Sequence, residues 1–406
     1  MPEFELKLLK MKAMKIELNV CRQVQLLVAM LFVMFGMMSC EEVNPALANT
    51  EKAQDTQDTQ EVTFTVDFPD NGFAPETRAT QTYSDATPLE NRVSSICVML
   101  FDTDNRYMDT LMVSGTGISS QGYSGERKTF SIKLVKGTYG TIAFWANVDN
   151  ILPTIRSFMA SAYNKSLIQS YMFNQTTSGK VSFNDIPMYG ELTNVTVTAA
   201  SSSGKTVTLY RSVAKISVTV ANTPDNQLFK LEKIHVYNTY SKGRVAPYNI
   251  NLAAASINSG WQRTNTLVPL EYKAGIADEA TEFLLFEANN VADTDGNLIK
   301  DAQRTCLVME GLFHDTIEHR GEPPLKTFYR VDFKDRQGDN IDIVRNHKYR
   351  VNTSYVGWRG ANSLFDAFNG IDDYVQYGAS TEYATRAASA TSASGRDKSI
   401  HVTIEY

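Results

Sequence analysis

From Val62 onward the chain is a succession of short runs in which hydrophobic and polar residues alternate, broken by clusters of Gly, Asn, Asp and Ser. Val62-Thr63-Phe64-Thr65-Val66-Asp67-Phe68 alternates without error, and Phe130–Val135, Val195–Thr198, Lys215–Val220 and Ile234–Tyr237 repeat the pattern. A period of two puts every second side chain on one face, which predicts half-buried strands and an antiparallel all-β chain. Such strands bury their apolar faces by stacking two sheets, so β-sandwiches are the expected architecture. Leu152–Tyr171 interrupts the series: Ile155, Phe158, Met159 and Ala162 recur at helical spacing and predict a short helical insertion capping an open end or edge. The small, polar run Ala199–Gly204 separates this part from a new apolar series beginning at Tyr210, which places a domain boundary near Thr208. The two halves, 61–208 and 209–406, are each of ordinary domain size. A Ser/Ala/Thr-rich linker over 384–395 then precedes one last strand, 399–406.

The N-terminal end follows a different pattern. Lys7, Lys10, Lys12, Lys15 and Arg22 lead into Leu26–Met38, thirteen residues without a charge. That is the shape of a secretory signal peptide, assigned here to residues 1–39, and it falls short of the about 20 residues a membrane-spanning helix needs. Ser39-Cys40 followed by Glu41-Glu42 resembles a bacterial lipobox, with Met37 and Met38 where a Leu and a small residue are usual. The resemblance implies that Cys40 is lipidated and becomes the first residue after cleavage. Acidic residues directly after such a cysteine are similar to the surface-export signal of Bacteroidales lipoproteins, which implies an outer-membrane lipoprotein precursor facing outward. Asn44–Gln60 contains the near-repeat AQDTQDTQ and too little apolar surface to order itself, so residues 40–60 read as a lipidated disordered tether.

Composition narrows the function classes. Hydrophobic residues make up 43% and charged residues 21%, which is globular, and a net charge of −6 provides no basic field for nucleic acid. Removing residues 1–39 takes five basic and three acidic residues, leaves 34 and 42, and moves the charge to −8. Cys97 and Cys306 lie in separate apolar runs and read as buried, reduced hydrophobes; an oxidising compartment permits a disulfide that two residues cannot establish. His314 and His319 are five apart and do not share a helix face, so a loop is expected rather than a zinc site. Asp293-Thr-Asp295-Gly296-Asn297 with Asp301 places its Gly at the fourth position, unlike a calcium loop; a turn is expected, with incidental calcium binding as the alternative. Asp102, Asp104 and Asn105 read as a hairpin turn in the same way. No nucleophile elbow, phosphate-cradling loop or Ser/His/Asp set is present, so no enzyme, catalytic residue, metal or cofactor is expected. Trp145, Trp261 and Trp358 are expected in cores or interfaces, with sugar stacking as the alternative.

The two ends carry the functional argument. Val62, Phe64, Val66 and Phe68 form one apolar stripe; Ile400, Val402, Ile404 and Tyr406 form another of the same period and similar length, suited to the same kind of groove. After the first stripe comes the polar loop Pro75-Glu76-Thr77-Arg78-Ala79-Thr80, and exposed loop tips are where nicking occurs. A cut between Arg78 and Ala79 would leave the first strand (61–78 with its loop) held only by non-covalent contacts, open to exchange for a strand from another molecule. Four such side chains, at roughly 1.5–3 kcal/mol each, give an inserted strand on the order of 6–12 kcal/mol before ordering costs. The alternative is that both ends are ordinary strands of one closed monomer.

The chain resembles the Bacteroidales fimbrillins, the type V pilins. The resemblance rests on the lipobox, the early strand followed by Arg78, Ile186-Pro-Met-Tyr-Gly-Glu191, Leu209-Tyr-Arg-Ser-Val-Ala-Lys-Ile216, Phe328-Tyr-Arg-Val-Asp-Phe333 and Ile343-Val-Arg-Asn-His-Lys-Tyr-Arg-Val351, in that order. It implies two tandem transthyretin-like β-sandwich domains, cleavage at Arg78 by an arginine-specific surface protease, and a groove that takes the C-terminal strand of a neighbouring pilin. Ile400–Tyr406 sits where that donor strand would be, while Arg386 and Arg396 flank the linker before it and offer further cutting sites. The expected function is therefore a structural subunit of a surface fimbrium supporting adhesion, with other pilin subunits, the protease and the outer membrane as partners. The alternative is a fimbrial tip subunit, or a non-polymerising surface lipoprotein that binds a glycan or a host protein.

Overall fold

The computed structural model describes residues 58–68, 89–114, 117–121, 127–153, 164–176, 179–201, 204–220, 229–246, 268–275, 279–292, 298–314, 323–335, 337–370, 375–377 and 400–405. Within them the alternating runs become strands, because every second residue meets an apolar layer and the residues between meet solvent. The first part consists of β1 (Thr59–Asp67), β2 (Ser95–Phe101), β3 (Tyr107–Ser114), β4 (Ser119–Gln121), β5 (Arg127–Val135), β6 (Gly137–Ala146), α1 (Lys165–Tyr171), β7 (Phe173–Gln175), β8 (Met188–Val197), β9 (Lys205–Thr208) and β10 (Tyr210–Arg211). They form a sheet of order β4-β5-β1-β9 and a second of order β10-β8-β6-β2-β3. Val62, Phe64 and Val66 of β1 and Leu134 of β5 pack against Ile96, Val98, Ile142 and Phe144 of the facing sheet. The Phe64 ring lies 5.7 Å from Phe130 and 5.1 Å from Phe144, closing the layer between the sheets.

β2 departs from alternation, since Ser-Ile-Cys-Val-Met-Leu-Phe is buried along its whole length. Its inward residues enter the sandwich core, and Cys97, Met99 and Phe101 on the other face are covered by Ile151, Leu152, Ile168 and Met172. Leu152–Tyr171 is expected to be helical and to cap an open end or edge; α1 occupies the end of that stretch, and its Ile168 covers the outer face of β2 instead, while Ile155, Phe158, Met159 and Ala162 lie outside the described residues. Asn164 caps α1 by accepting from the Leu167 N–H, and Lys165 reaches Glu191 and Thr141, which ties the helix to β8 and β6.

The second part consists of β11 (Ala214–Val220), β12 (Phe229–Tyr237), β13 (Lys242–Arg244), β14 (Leu270–Lys273), β15 (Thr281–Leu285), β16 (Cys306–Phe313), β17 (Leu325–Asp332), β18 (Lys348–Val356), α2 (Leu364–Phe368), β19 (Val375–Tyr377) and β20 (Ile400–Glu405). Its sheets run β15-β11-β18-β20-β19 and β14-β12-β16-β17, and α2 covers the outer face of the latter around Tyr237, Val308 and Phe328. The fold is thus all-β and sandwich-like. Pairing is antiparallel except for β1 with β9, β11 with β18 and β19 with β20, which are parallel. Each of the first two joins segments more than a hundred residues apart in the chain, so no hairpin turn is available to impose the antiparallel direction.

β1 begins at Thr59, inside the span read as tether, and β10 extends the first part's second sheet to Arg211. Gly190 in the Met-Tyr-Gly-Glu run is required by close approach: a Cβ there would stand 2.1 Å from the Thr208 carbonyl oxygen. Where the two parts meet, β7 and β13 pair, Lys215 bridges Glu90 (2.8 Å) and Glu282 (2.9 Å), and Arg211 donates to Asn346 (3.0 Å) and the Glu90 carbonyl (3.2 Å). Asp58–Tyr406 accordingly forms one compact unit.

Candidate functional site

The first apolar stripe is an interior strand. β1 pairs antiparallel with β5 from Thr59↔Val135 to Val66↔Lys128 and parallel with β9 from Phe64↔Lys205 to Asp67↔Thr208. Val62, Phe64 and Val66 are fully buried and Phe68 nearly so, whereas Thr63 and Thr65 face outward and Thr63 shares a hydroxyl hydrogen bond with Ser131. Taking β1 away would open a slot between β5 and β9, floored by the rings of Phe130 and Phe144 and lined on both sides by backbone groups ready to pair. Cys40, Arg78 and Ala79 lie outside the described residues.

The chain becomes described again at Leu89, and its next residues are fixed in place. Glu90 is buried against Lys215, and Arg211 binds the Glu90 carbonyl and the Asn91 side chain. Burial pulls the Lys215 ammonium down, but its bonds to Glu282 and Glu90 outweigh this and hold it above its ordinary value. Arg211 shows the opposite balance: burial lowers its guanidinium despite the attraction of Glu90.

The second stripe occupies a slot of its own. β20 lies between β18, antiparallel from Arg350↔Glu405 to Val356↔Ile400, and β19, parallel from Val375↔Ile400 to Tyr377↔Val402. Val402 and Ile404 are buried there; Ile400 belongs to the strand and Tyr406 is outside the described residues. The two stripes are therefore not brought together. Each is an interior strand with one antiparallel and one parallel neighbour, β1 in the first part and β20 in the second.

Other candidates resolve into structure. Asp102 accepts from the Asp104 and Arg106 N–H groups and Asn105 takes a positive φ of 61°, which makes the β2–β3 connection a hairpin turn. Trp145 is buried 4.6 Å from the Tyr189 ring, and Cys97 and Cys306 are buried in different sheets. Asp293–Asn297, His319 and Trp261 are outside the described residues, and among the described ones no three His, Cys, Asp or Glu side chains are grouped to hold a metal ion. Sequence reasoning missed two buried polar groupings. Arg345 donates to Glu287 (2.6 Å) and to the Val245 carbonyl (2.9 Å) with no solvent contact, and Glu310 takes bonds from His235 (2.6 Å) and Lys326 (2.7 Å). Arg345 and Glu287 lie outside the strands and His235 and Glu310 on the strand face opposite the core residues Ile234, Val236 and Met309, so no periodic position marks them, and partners 58 and 75 residues away are invisible to local pattern.

Residues 55–367 match the family described as fimbrillin-A associated anchor proteins Mfa1 and Mfa2. The major fimbrium tip subunit FimE of Porphyromonas gingivalis is 22% identical over 288 residues, covering 69% of this chain and 46% of FimE. The chain thus spans about half the length of the curated relatives it matches. Among solved structures, the tip fimbrial protein Mfa3 of Porphyromonas gingivalis, truncated at its C-terminus, is 17% identical, covers 74% of this chain and 96% of its own, and has a TM-score of 0.47. A fimbrillin, FimA, of Porphyromonas gingivalis W83 is 13% identical over 85% of this chain and 96% of its own, also with a TM-score of 0.47.

Proposed function

The chain belongs to the family of fimbrillin-A associated anchor proteins, and from that premise we propose that it is a subunit of a cell-surface fimbrium. In this reading it is exported as a lipoprotein through Cys40, cut between Arg78 and Ala79 by an arginine-specific protease, and assembled with other fimbrial subunits by exchange of β1 for a partner's strand. Its two sandwiches act as two domains divided near Thr208. The observation that carries the reading is the placement of β1, an interior strand whose apolar side chains, with that of Phe68 just beyond it, are buried and whose connection to β2 contains Arg78. A strand so placed is held by about 6–12 kcal/mol of side-chain burial before ordering costs, enough to retain it until a competitor of equal pattern arrives. β20 supplies that pattern, and it reaches a neighbour by leaving its place between β18 and β19.

The seating of β20 in its own sheet favours a second reading, a subunit at the end of a fibre that accepts a strand but donates none. FimE and Mfa3 are both named as tip proteins. One experiment separates the two: the lipid-free chain, residues 41–406, is treated with an arginine-specific protease, and fragment masses and oligomer size are followed. A cut at Arg78 followed by multimers that vanish when Ile400–Tyr406 is deleted supports the shaft subunit. Cut protein that stays monomeric yet takes up a strand from another subunit supports the terminal one, and cut protein that keeps β1 and binds no strand defeats both.

A further inference from the structure

One described side chain fastens the residues that follow Asn91 by both of its polar ends. Asn147, at the end of β6, is buried with a left-handed φ of 57°. Its carboxamide oxygen accepts from the Ser94 N–H (2.9 Å), and its amide nitrogen donates to the Arg92 carbonyl (2.8 Å) and the Ile186 carbonyl (2.9 Å). Its own N–H donates to the Ser95 carbonyl (3.0 Å). The carboxamide therefore spans the Arg92–Val93 peptide bond, holding the carbonyl on one side and the second N–H on the other. The Arg92 side chain itself is open, 55% exposed beside Asp185, so an arginine-reading protease meets its recognition group but not a free scissile bond. Val93 packs on the apolar core, and Ser94 bonds Asp185 through its hydroxyl.

We infer that Arg92 is a second arginine-specific cleavage site kept cryptic by Asn147, so that Asn147 sets the downstream limit of processing. A protease needs several residues around the cut bond in extended, accessible form, which here requires opening the Asn147 bonds and withdrawing Val93. Cleavage at Arg92 would also detach Glu90 and Asn91, and with them the Glu90–Lys215 ion pair that joins the first part to the second and the bonds that hold Arg211, which itself reaches Asn346. The clamp confines the removable piece to β1 and its loop. This rests on the proposed use of an arginine-specific protease, but its test is read at a different bond.

Asn147→Gly keeps the left-handed backbone at no steric cost while deleting all three side-chain bonds. The full 406-residue chain in detergent, wild type and variant, is incubated with an arginine-specific protease, and new N-termini are identified by sequencing and mass. The expected result is a product beginning at Val93 that forms at least about tenfold faster in the variant, as local opening controls the rate, and that disappears in Asn147→Gly with Arg92→Lys. A Val93 product forming as fast in the wild type, or failing to form in the variant, overturns the inference. Cutting at the buried Arg345 marks a variant that has unfolded globally. In that case hydrogen exchange of the wild-type Ser94 amide decides: slow exchange sustains the clamp, and exchange at the rate of a free chain overturns it. Resistance of Arg78 in both proteins would defeat the processing reading while leaving the Val93 result legible.

Discussion

Truncating Phe64 to Ala probes the strength with which β1 is held. The ring is fully buried, stacks on Phe130 and leans on Phe144, so its removal deletes apolar burial and leaves a cavity between two sheets that cannot close over it. Such truncations remove about 3–5 kcal/mol. Before cleavage this appears as lost global stability. Once the chain is nicked between residues 69 and 88, the same energy acts on retention of the strand, and at about 1.4 kcal/mol per tenfold it weakens retention by roughly two to three and a half orders of magnitude. The assay labels the N-terminal fragment, nicks the loop and follows the fragment leaving the body by size-exclusion chromatography. Thr63→Ala is the matched control, because Thr63 faces outward and its single hydroxyl bond to Ser131 is worth about 1 kcal/mol. Release of Phe64→Ala at the same rate as Thr63→Ala would refute the claim that the inward stripe holds the strand.

Three further outcomes follow from the buried polar groups and the close backbone approach. Burial alone would raise the Glu310 carboxyl, but Lys326 and His235 outweigh it and hold it below its ordinary value of 4.5. A depressed carboxyl contributes stability above the unfolded value and loses it as pH falls through the folded one, so urea midpoints should fall below about pH 4.5 and Glu310→Gln should flatten that fall. Arg345→Ala removes the guanidinium that ion-pairs the buried Glu287 and should lose about 3–5 kcal/mol in urea unfolding, whereas Arg345→Met with Glu287→Met should lose much less. Gly190→Ala forces β8 away from the Thr208 carbonyl and should lose about 1–3 kcal/mol in thermal unfolding, with faster release of β1 after nicking because β9 is its parallel neighbour.

Period two was the legible part of this fold. β1 alternates in sequence and in burial alike, and the Arg345–Val351 run is a turn at Asn346, φ 60°, leading into β18 with Tyr349 and Val351 inward. β2 reads only as an apolar run, because the layer that covers its second face comes from residues 50–75 positions later. Helical spacing pointed to Leu152–Tyr171, but a cap at Asn164 decides where α1 starts, and capping depends on one side chain rather than on a period. The seating of β20 was open at the level of sequence, since a stripe of alternating apolar residues fits any slot of that depth. What decides it within one molecule is the ladder offered by β18 and β19. The junction was illegible for a different reason: Glu90, Arg211 and Lys215 look like surface charges until residues more than 120 apart are seen to meet.

Strand exchange between copies is tested most directly by covalent capture. In one molecule Thr403 of β20 pairs with Asn352 of β18, whereas exchange would lay β20 of a second copy beside β5, whose outward residues Ser131 and Lys133 now face Thr63 and Glu61. One copy carries Cys at Ser131 or Lys133, the other carries Cys at Thr403, and the two are mixed, treated with an arginine-specific protease and oxidised. The account predicts a cross-linked dimer that forms only after cleavage, with loss of the internal cross-link in an Asn352→Cys, Thr403→Cys variant. An internal cross-link that persists undiminished after cleavage, with no dimer at either β5 position, would contradict it.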